Sequence, residues 1–575
     1  MRWNNIATIS KDGIPCNGGG FLPEDKWGYS GRKERIVADG FESSVPGTKP
    51  MTHLICFCSC CAAYAASKQA GRANRRSLEN RKILNNVELI SSFWWAILVF
   101  CLFVFICLRS SAQKPGSMNI GTLSYTHWPT PSPSILRIRS VVWPSIETSR
   151  GTYSPSFGNL DNWIAVAKTK NTQLLFTFYR VPAWASSNNT RPPSDLGAVN
   201  EKCLAPLAGV VRPAGDCMWA EYITKLMQHV CGVSAPPAVP LKGTCRIRYY
   251  EAWNEFNADE YWSSNYTNLA KMANDAATIV KKYCGDCVFL AGNSSAGGDG
   301  YHAAYINNPA VSGHFDVSLG EFLDAWHAIP SASLPDGVSY HAYGARRNVI
   351  PYPFPETIVS HSSSLCTAAN TPNPNCRTAL FQETNAVRTM LKQRTWAANL
   401  PIWNTEGGYG RNDDLVDPAS QTGANTTMLR EAYVARWILA MGSTGTVTNL
   451  WYEWDDPCWG TMMGYGINPA TTGCSTDPEI PPGYTPIHTT WNRMTAWLSG
   501  ASFSGPCTSI GTVWHCIITK PGYQGMFLWT TAWLSSRSVP LGTTYVQYRD
   551  LDGNLYKMNG ATSVTVTNRP ILLER

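Results

Sequence analysis

Two glutamates of this chain stand in similar local sequences that suit acid–base chemistry. Glu255 follows the apolar run of "CRIRYYEAWNEFN", and Glu406 follows that of "NLPIWNTEGGYG". A carboxyl group just beyond a buried strand can donate a proton, accept one or act as a nucleophile. Hydrolysis of a glycosidic bond needs two such groups, one to protonate the leaving oxygen and one to attack or to activate water.

Three glutamates lie between Arg248 and Trp262, and their positions separate them. Glu251 lies within a predicted strand, so we expect it to pair inside the core. Glu260 lies further along, and we expect it at the start of the next helix, where an acid favours the helix dipole. Glu255 falls where the strand ends, so it is the predicted reacting group of this stretch.

The elements that must position these residues alternate regularly along the chain. Short apolar runs such as "QLLFTFY" and amphipathic stretches such as "MWAEYITKLMQHV" succeed each other about eight times over residues 113–500. This alternation predicts an α/β fold, a (β/α)8 TIM barrel, whose reacting groups lie at the carboxyl ends of the strands. A doubly wound open sheet is the alternative, and the lack of a glycine-rich phosphate loop after the first strand weighs against it.

The pattern changes near the C-terminus. Residues 501–575 consist of short apolar runs separated by turn signals, and "DLDGN" is typical of a hairpin turn with Gly553 at the position that needs a positive φ. We therefore expect a C-terminal β-sandwich domain, with a structural role as the default and sugar binding as the alternative.

The N-terminal part differs from the rest. Residues 1–86 are polar and glycine-rich, and we expect disorder there, in a cytoplasmic extension or a stretch upstream of the true start. Residues 87–112 contain the uncharged run "FWWAILVFCLFVFICL", which predicts a signal peptide cleaved after Ala112 or a membrane anchor over residues 89–108. Both alternatives place the chain from Gln113 onward outside the cytoplasm, either secreted or anchored through this segment alone.

The composition favours a protein that handles a neutral ligand. The net charge is +7, but residues 1–112 carry 14 Lys and Arg against 8 Asp and Glu, so the remainder is close to neutral. Trp (23) and Tyr (25) are abundant while only 15% of residues are charged, and flat aromatic rings can stack on the C–H faces of sugars. A nearly neutral main body gives no indication of nucleic-acid binding.

The cysteines favour an oxidising compartment. Twelve of the 19 cysteines follow residue 112, and an even number in short sequential pairs predicts local disulfides. The predicted pairs are Cys203/Cys217, Cys231/Cys245, Cys284/Cys287, Cys366/Cys376, Cys458/Cys474 and Cys507/Cys516. No set of cysteines and histidines has zinc-site spacing in the sequence, so we expect neither a metal nor another cofactor.

The two glutamate motifs resemble those of a known group of enzymes. "YEAWNEFN" resembles the acid/base motif of retaining glycoside hydrolases of clan A, and "PIWNTEGGYG" resembles the nucleophile segment on the seventh strand of their barrels. The layout from about Met118 to Arg575 is most similar to family-39-like enzymes, which include β-xylosidases and α-L-iduronidases. The resemblance implies Glu255 as general acid/base and Glu406 as nucleophile.

The same resemblance implies a set of substrate-binding residues. Asn254 would form a hydrogen bond with the sugar 2-hydroxyl. Strict strand alternation, however, puts Asn254 and Glu255 on opposite faces unless the chain flares or bulges there. Where the family usually reads Arg-x-Trp-Asp on the second strand, this chain reads "RIRS" from Arg137. The other expected substrate contacts are His341 and Tyr343 of "GVSYHAYG", Trp451 of "LWYEWDD", Trp184 of "VPAWAS", His127 of "YTHW" and Arg137 itself.

Three functions follow from these observations. The first is an exo-acting β-glycosidase of the β-xylosidase type. The second is an endo-acting β-glucanase, mannanase or xylanase on the same barrel. The third is a sugar-binding protein without turnover, against which the presence of both glutamates argues. In each case the predicted partner is a carbohydrate.

Overall fold

The computed structural model describes most of the chain after residue 118, and all of the described residues belong to one compact unit. The predictions for residues 1–86 and 87–112 lie outside the described residues. In the part that is described, no helix is both long and apolar enough to cross a membrane. The described ranges are 119–124, 127–212, 215–258, 260–295, 315–343, 355–356, 380–408, 423–455, 486–532, 535–542 and 544–575.

Eight parallel strands form a closed barrel, which confirms the predicted fold class. Numbered β1 to β8 along the chain, they pair in the circular order β1-β8-β7-β6-β5-β4-β3-β2. Each forms from one of the apolar runs of the alternating pattern. Their bounds are Asn119–Ser124, Ile135–Ile138, Gln173–Thr177, Tyr249–Glu251, Val288–Ser295, Gly337–Tyr343, Ile402–Gly408 and Thr448–Trp451.

Amphipathic helices connect these strands along the outside of the barrel. The longer helices of the described ranges, α1 to α7, are Leu160–Lys170, Cys217–Cys231, Tyr266–Tyr283, Phe315–His327, Leu380–Lys392, Gly423–Ser443 and Pro486–Leu498. A single helical turn, Trp143–Ile146, and two hairpins, Glu147–Ser149 with Thr152–Tyr153 and Glu201–Lys202 with Val211–Arg212, lie in the loops.

Successive side chains of each barrel strand point alternately into the barrel and toward the helices. In β3, Leu175 belongs to the apolar cluster inside the barrel, whereas its neighbours Leu174 and Phe176 belong to the larger cluster that includes the helices. In β8 the same rule places Leu450 inside and Trp451 outside. The alternation therefore decides which side chains of a strand can reach the interior of the barrel.

The chain after α7 forms antiparallel β-structure. Strands β9 to β17 are Ser502–Phe503, Thr508–Ile510, Val513–Lys520, Tyr523–Thr530, Arg537–Pro540, Gln547–Arg549, Leu555–Lys557, Ser563–Val566 and Ile571–Glu574. A seven-stranded sheet has the order β9-β11-β12-β17-β14-β15 with β10 beside β11, and β13 pairs with β16 in a second sheet. Val564 and Val566 of the second sheet pack in one cluster with Leu528 and Leu573 of the first.

A buried ion pair lies between the barrel helices and this β-structure. Arg436 of α6 forms a salt bridge with Glu356, and both side chains are almost completely buried. The indole Nε1 of Trp529 on β12 donates a hydrogen bond to the same carboxylate at 2.7 Å. A buried charge is stable only with its partners in place. We therefore expect Arg436, Glu356 and Trp529 all to be needed for the stability of the fold.

Replacing Arg436 with methionine should lower the free energy of unfolding by about 3 kcal/mol, since Glu356 would keep its burial and lose its counter-ion. Urea denaturation measures this change. The control is Arg248→Met, which removes the partially exposed pair with Asp286 and should cost less than about 1 kcal/mol. Equal losses in the two variants would contradict the role given to the buried pair.

Four of the six predicted disulfides are present. They are Cys203–Cys217, Cys231–Cys245, Cys284–Cys287 and Cys507–Cys516. The remaining predicted pairs, Cys366/Cys376 and Cys458/Cys474, lie outside the described residues. Structural disulfides of this kind are typical of proteins outside the cytoplasm.

Candidate active site

Glu255 reaches the mouth of the barrel because the chain turns sharply after β4. The strand ends at Glu251, and Glu255 itself has a φ of 38°, in the left-handed region that non-glycine residues seldom adopt. Asn293 of β5 holds this conformation: its Oδ1 accepts the N–H of Glu255 at 2.6 Å, and its carbonyl accepts the N–H of Phe256 at 3.2 Å. The chain thus flares as the alternation rule requires, so Asn254 and Glu255 both face the site.

Glu406 reaches the site because the pairing of β7 is irregular. The register between β6 and β7 shifts just before His341, which then lies opposite Glu406. The shift lets two successive residues face the barrel interior, and Thr405 donates a hydrogen bond to Glu251 at 2.6 Å. A Cβ atom on Gly407 would lie 2.4 Å from a backbone carbonyl oxygen, which accounts for the glycine that follows Glu406.

The two predicted reacting groups face each other across the end of the barrel. Nδ1 of His341 lies 2.7 Å from Oε1 of Glu255 and 3.7 Å from Oε1 of Glu406. Carboxylate oxygens of the two glutamates lie within 4.8 Å of each other. Both glutamates are largely buried, with 9% of Glu255 and 4% of Glu406 exposed, so bulk water screens them little.

Arg137 of β2 contacts both the site residues and the barrel core. Its guanidinium donates to Oε2 of Glu406 at 2.7 Å and to Oδ1 of Asn254 at 2.7 Å, and it forms a salt bridge with Glu251 at 3.0 Å. Burial is the largest effect on the pKa of Glu251 and acts to raise it, but the nearby charges, that of Arg137 foremost, and the hydrogen bonds from Thr405 and Ser339 together leave this pKa below its usual value. Glu251 is therefore a buried counter-ion, as expected from its place within the strand.

Arg139 is a member of the site that the sequence interpretation left out. It donates from Nη1 to Oε2 of Glu406 at 3.2 Å and to Oδ1 of Asn254 at 3.1 Å. Arg139 directly follows β2, and its side chain points to the same side as that of Arg137, as side chains two apart in extended chain do. That spacing in "RIRS" is the signal that identifies it. Its guanidinium lies near the rings of Tyr179, Tyr261 and Tyr452, at 5.4, 5.9 and 6.0 Å from their centroids.

Asn254 presents its amide nitrogen to the site. Its Oδ1 accepts hydrogen bonds from both arginines, Arg137 and Arg139, which fixes the orientation of the amide. Nδ2 is buried and has no hydrogen-bond partner among the residues that the structure describes. A buried donor without a partner is costly, and a sugar hydroxyl at this position would satisfy it. The geometry agrees with the substrate contact implied for Asn254, which stays a prediction.

Tyr343 and His341 lie two residues apart in β6 and face the same side. The hydroxyl of Tyr343 donates to Oε1 of Glu406 at 2.5 Å. Burial and the charge of Glu406 raise the pKa of Tyr343 well above its usual value, so this hydroxyl keeps its proton. Burial also lowers the pKa of His341 to about 3, although Glu406 acts to raise it. His341 is therefore a neutral hydrogen-bonding partner of Glu255.

The low pKa of His341 predicts a stability that depends on pH. Below the usual histidine pKa of about 6.5, the unfolded chain binds a proton that the folded chain binds only near pH 3. As the pH falls between those limits, the free energy of unfolding should therefore decrease by roughly 1 kcal/mol for each pH unit. Urea denaturation of wild type and His341→Gln from pH 7 to pH 4 measures the difference; parallel curves would contradict it.

The structure corrects the role predicted for Trp451. Its side chain is completely buried and contacts Trp437 of α6 and Trp491 of α7, at ring-centroid distances of 5.1 and 6.4 Å. It points outward because Leu450 occupies the inward position of β8. Trp451 therefore cannot form a stacking wall for a sugar. The next residue, Tyr452, points inward and lies near Tyr343.

The other two predicted contacts lie in loops. His127 follows β1, and its backbone N–H and Nδ1 lie 2.6 and 3.1 Å from Oδ2 of the buried Asp455 after β8. It is partially exposed at the mouth of the barrel. Trp184 packs edge-on against Trp143 and donates from Nε1 to the carbonyl of Glu147. Their contact with substrate stays a prediction.

Glu260 also differs from its predicted position. It lies in a turn, and the next helix, α3, begins at Tyr266 with Asn265 as its N-cap. Burial raises the pKa of Glu260, and the charge of Glu255 raises it further. The acid lies near the site and does not stabilise a helix dipole.

Glu255, His341 and Glu406 also meet the distance requirement for metal binding, since their ligand atoms lie within 4.8 Å of one another. However, Arg137 and Arg139 both donate to Glu406. A divalent cation bound to this carboxylate would be repelled by two guanidinium groups in a setting of low dielectric. The donor set therefore suits acid–base and nucleophilic chemistry better than metal binding.

Comparisons with known proteins find distant structural neighbours. No family model matches the sequence, and no curated protein matches it. A glucosidase from Croceicoccus marinus is 12% identical, with 80% of this chain and 96% of that chain covered and a TM-score of 0.48. A GH30 endoxylanase from Clostridium papyrosolvens C71 is 12% identical, with coverages of 81% and 97% and a TM-score of 0.41. The family 44 endoglucanase Cel44A from Clostridium thermocellum is 12% identical, with coverages of 81% and 98% and a TM-score of 0.45. These similarities are too distant to assign a family or an activity.

Proposed function

We propose that the chain is a retaining glycoside hydrolase that cleaves β-linked glycosides. The observation that carries the proposal is the approach of Glu255 and Glu406, whose carboxylate oxygens lie within 4.8 Å. Retaining enzymes place their two carboxyl groups about 5–5.5 Å apart, whereas inverting enzymes need about 6.5–9.5 Å to admit a water molecule. The separation therefore favours a nucleophilic role for Glu406.

The hydrogen bonds support a separate role for each carboxyl group. In the first step, Glu255 gives its proton to the leaving oxygen while an oxygen of Glu406 attacks the anomeric carbon. His341 lies against Oε1 of Glu255 and orients the carboxyl group that gives the proton. In the second step, Glu255 takes a proton from water, the water oxygen bonds to the anomeric carbon, and Glu406 departs as a carboxylate.

The proposal extends to substrate and location. The resemblance of the glutamate motifs makes a β-xyloside the first substrate to test, with longer β-linked glucans, mannans and xylans second. The disulfides support action outside the cytoplasm. Residues 113–500 would form the catalytic unit and residues 501–575 an accessory one.

A panel of nitrophenyl β-glycosides and β-linked polysaccharides tests the proposal. We expect the wild type to release nitrophenol from at least one of them and Glu406→Ala to release none. If wild type hydrolyses nothing, and Glu406→Ala binds oligosaccharides as tightly as wild type, the protein is a sugar-binding protein and the proposal is wrong.

A further inference from the structure

We infer that Arg139 is a positioning residue that holds Glu406 by one oxygen and accelerates the breakdown of the glycosyl-enzyme. The inference rests on the proposed function and concerns its second step. It starts from the unequal contacts of the two oxygens of Glu406. Oε2 accepts from the guanidinium groups of Arg137 and Arg139, whereas Oε1 accepts from the neutral hydroxyl of Tyr343. Oε1 is thus the oxygen better suited to attack, and Oε2 is the oxygen that carries the charge-assisted bonds.

The charges separate the roles of the two arginines. Arg137 forms a salt bridge with Glu251, which is completely buried. The positive charge of Arg137 is therefore already balanced by the negative charge of Glu251. Arg139 supplies the second positive charge, and this charge matches the carboxylate of Glu406. Without Arg139, two buried glutamates would share a single guanidinium group.

Arg139 is held firmly in this position. Its carbonyl oxygen accepts a hydrogen bond from the hydroxyl of Tyr179 at 3.0 Å. Its guanidinium lies among the rings of three tyrosines, and only 6% of the residue is exposed. A fixed cation in a poorly hydrated site interacts strongly with a nearby charge.

This arrangement favours the second chemical step over the first. The positive charge stabilises Glu406 as a carboxylate more than as a neutral glycosyl ester. In the second step the bond between the anomeric carbon and Oε1 breaks and its electron pair returns to the carboxylate, while water bonds to the anomeric carbon and gives a proton to Glu255. Arg139 therefore makes Glu406 a better leaving group, and its loss should slow the second step more than the first.

Reactivation of a trapped glycosyl-enzyme tests the inference. A deoxyfluoro β-glycoside of the best sugar in the panel labels Glu406, and intact mass follows the loss of the label. We expect Arg139→Gln to lose the label roughly 10- to 100-fold more slowly than wild type, which is the effect of removing a hydrogen bond to a charged group. Arg139→Lys, which keeps the charge, should recover part of the rate.

Two further variants make the result decisive. Arg139→Met suits a site lined by tyrosine rings and repeats the measurement if Arg139→Gln does not fold. The control is Arg180→Gln, because Arg180 lies over the Tyr179 ring at 5.8 Å; it should reactivate at the wild-type rate. A folded Arg139→Gln or Arg139→Met variant that reactivates as fast as wild type would overturn the inference. A wild type that never acquires the label would overturn the proposed function instead.

Discussion

Replacing Glu406 with alanine is expected to lower kcat/KM for an aryl β-glycoside by on the order of 10⁴-fold or more, the scale of loss when an enzyme loses its nucleophile. The carboxylate is held by Arg137, Arg139 and Tyr343. Alanine leaves these donors in place but removes the atom that would bond to the anomeric carbon. Initial rates with a nitrophenyl β-glycoside measure the loss.

Added azide provides the control for this first variant. A small anion can enter the space left by the side chain of Glu406 and attack the anomeric carbon directly. We expect it to restore part of the turnover and to form a glycosyl azide of inverted configuration, while thermal unfolding of the variant shows that it is folded. An active Glu406→Ala enzyme without azide would contradict the nucleophilic role.

Replacing Glu255 with alanine should have the second-largest effect, and its size should depend on the leaving group. A positioned general acid contributes about 10²- to 10⁴-fold, and this help is needed when the leaving oxygen is basic. We expect Glu255→Ala to lose most of its activity on an alkyl glycoside and much less on a dinitrophenyl glycoside. Comparing kcat/KM across aryl glycosides of different phenol pKa measures this dependence.

The matched control for this variant is Glu260→Ala, a change of the same kind in the same stretch of sequence. Glu260 lies near Glu255 but outside the contacts that join the two carboxylates. It should lose less than about tenfold, since it only alters the local charge. If both variants lose activity equally for good and poor leaving groups, Glu255 is not the acid.

The sequence predicted the elements that carry the site because those elements rest on simple periodicity. The eight apolar runs became the eight barrel strands; Glu255 follows the end of β4, and Glu406 lies near the carboxyl end of β7. A residue at the carboxyl end of a parallel strand must lie at one end of the barrel whatever the loops do. For this reason the two glutamates could be paired although they lie far apart along the chain.

The sequence did not predict the details that depend on local irregularities. The register shift beside Glu406 and the positive φ of Glu255 are set by contacts with β6 and with Asn293, which come from distant parts of the chain. The choice between Trp451 and its neighbour Tyr452 depends on which of them faces inward, and a run of aromatic residues carries no alternation to show it. Arg139 could have been found from its spacing of two residues from Arg137.

The measurement that tests the central claim most directly is the anomeric configuration of the first-formed product, followed by proton NMR during hydrolysis of a β-glycoside. Because Glu255 and Glu406 lie close enough for a covalent intermediate, we expect the β-anomer to form first and the α-anomer to appear only through mutarotation. Initial formation of the α-anomer would mean inversion, and Glu406 could not then be the nucleophile.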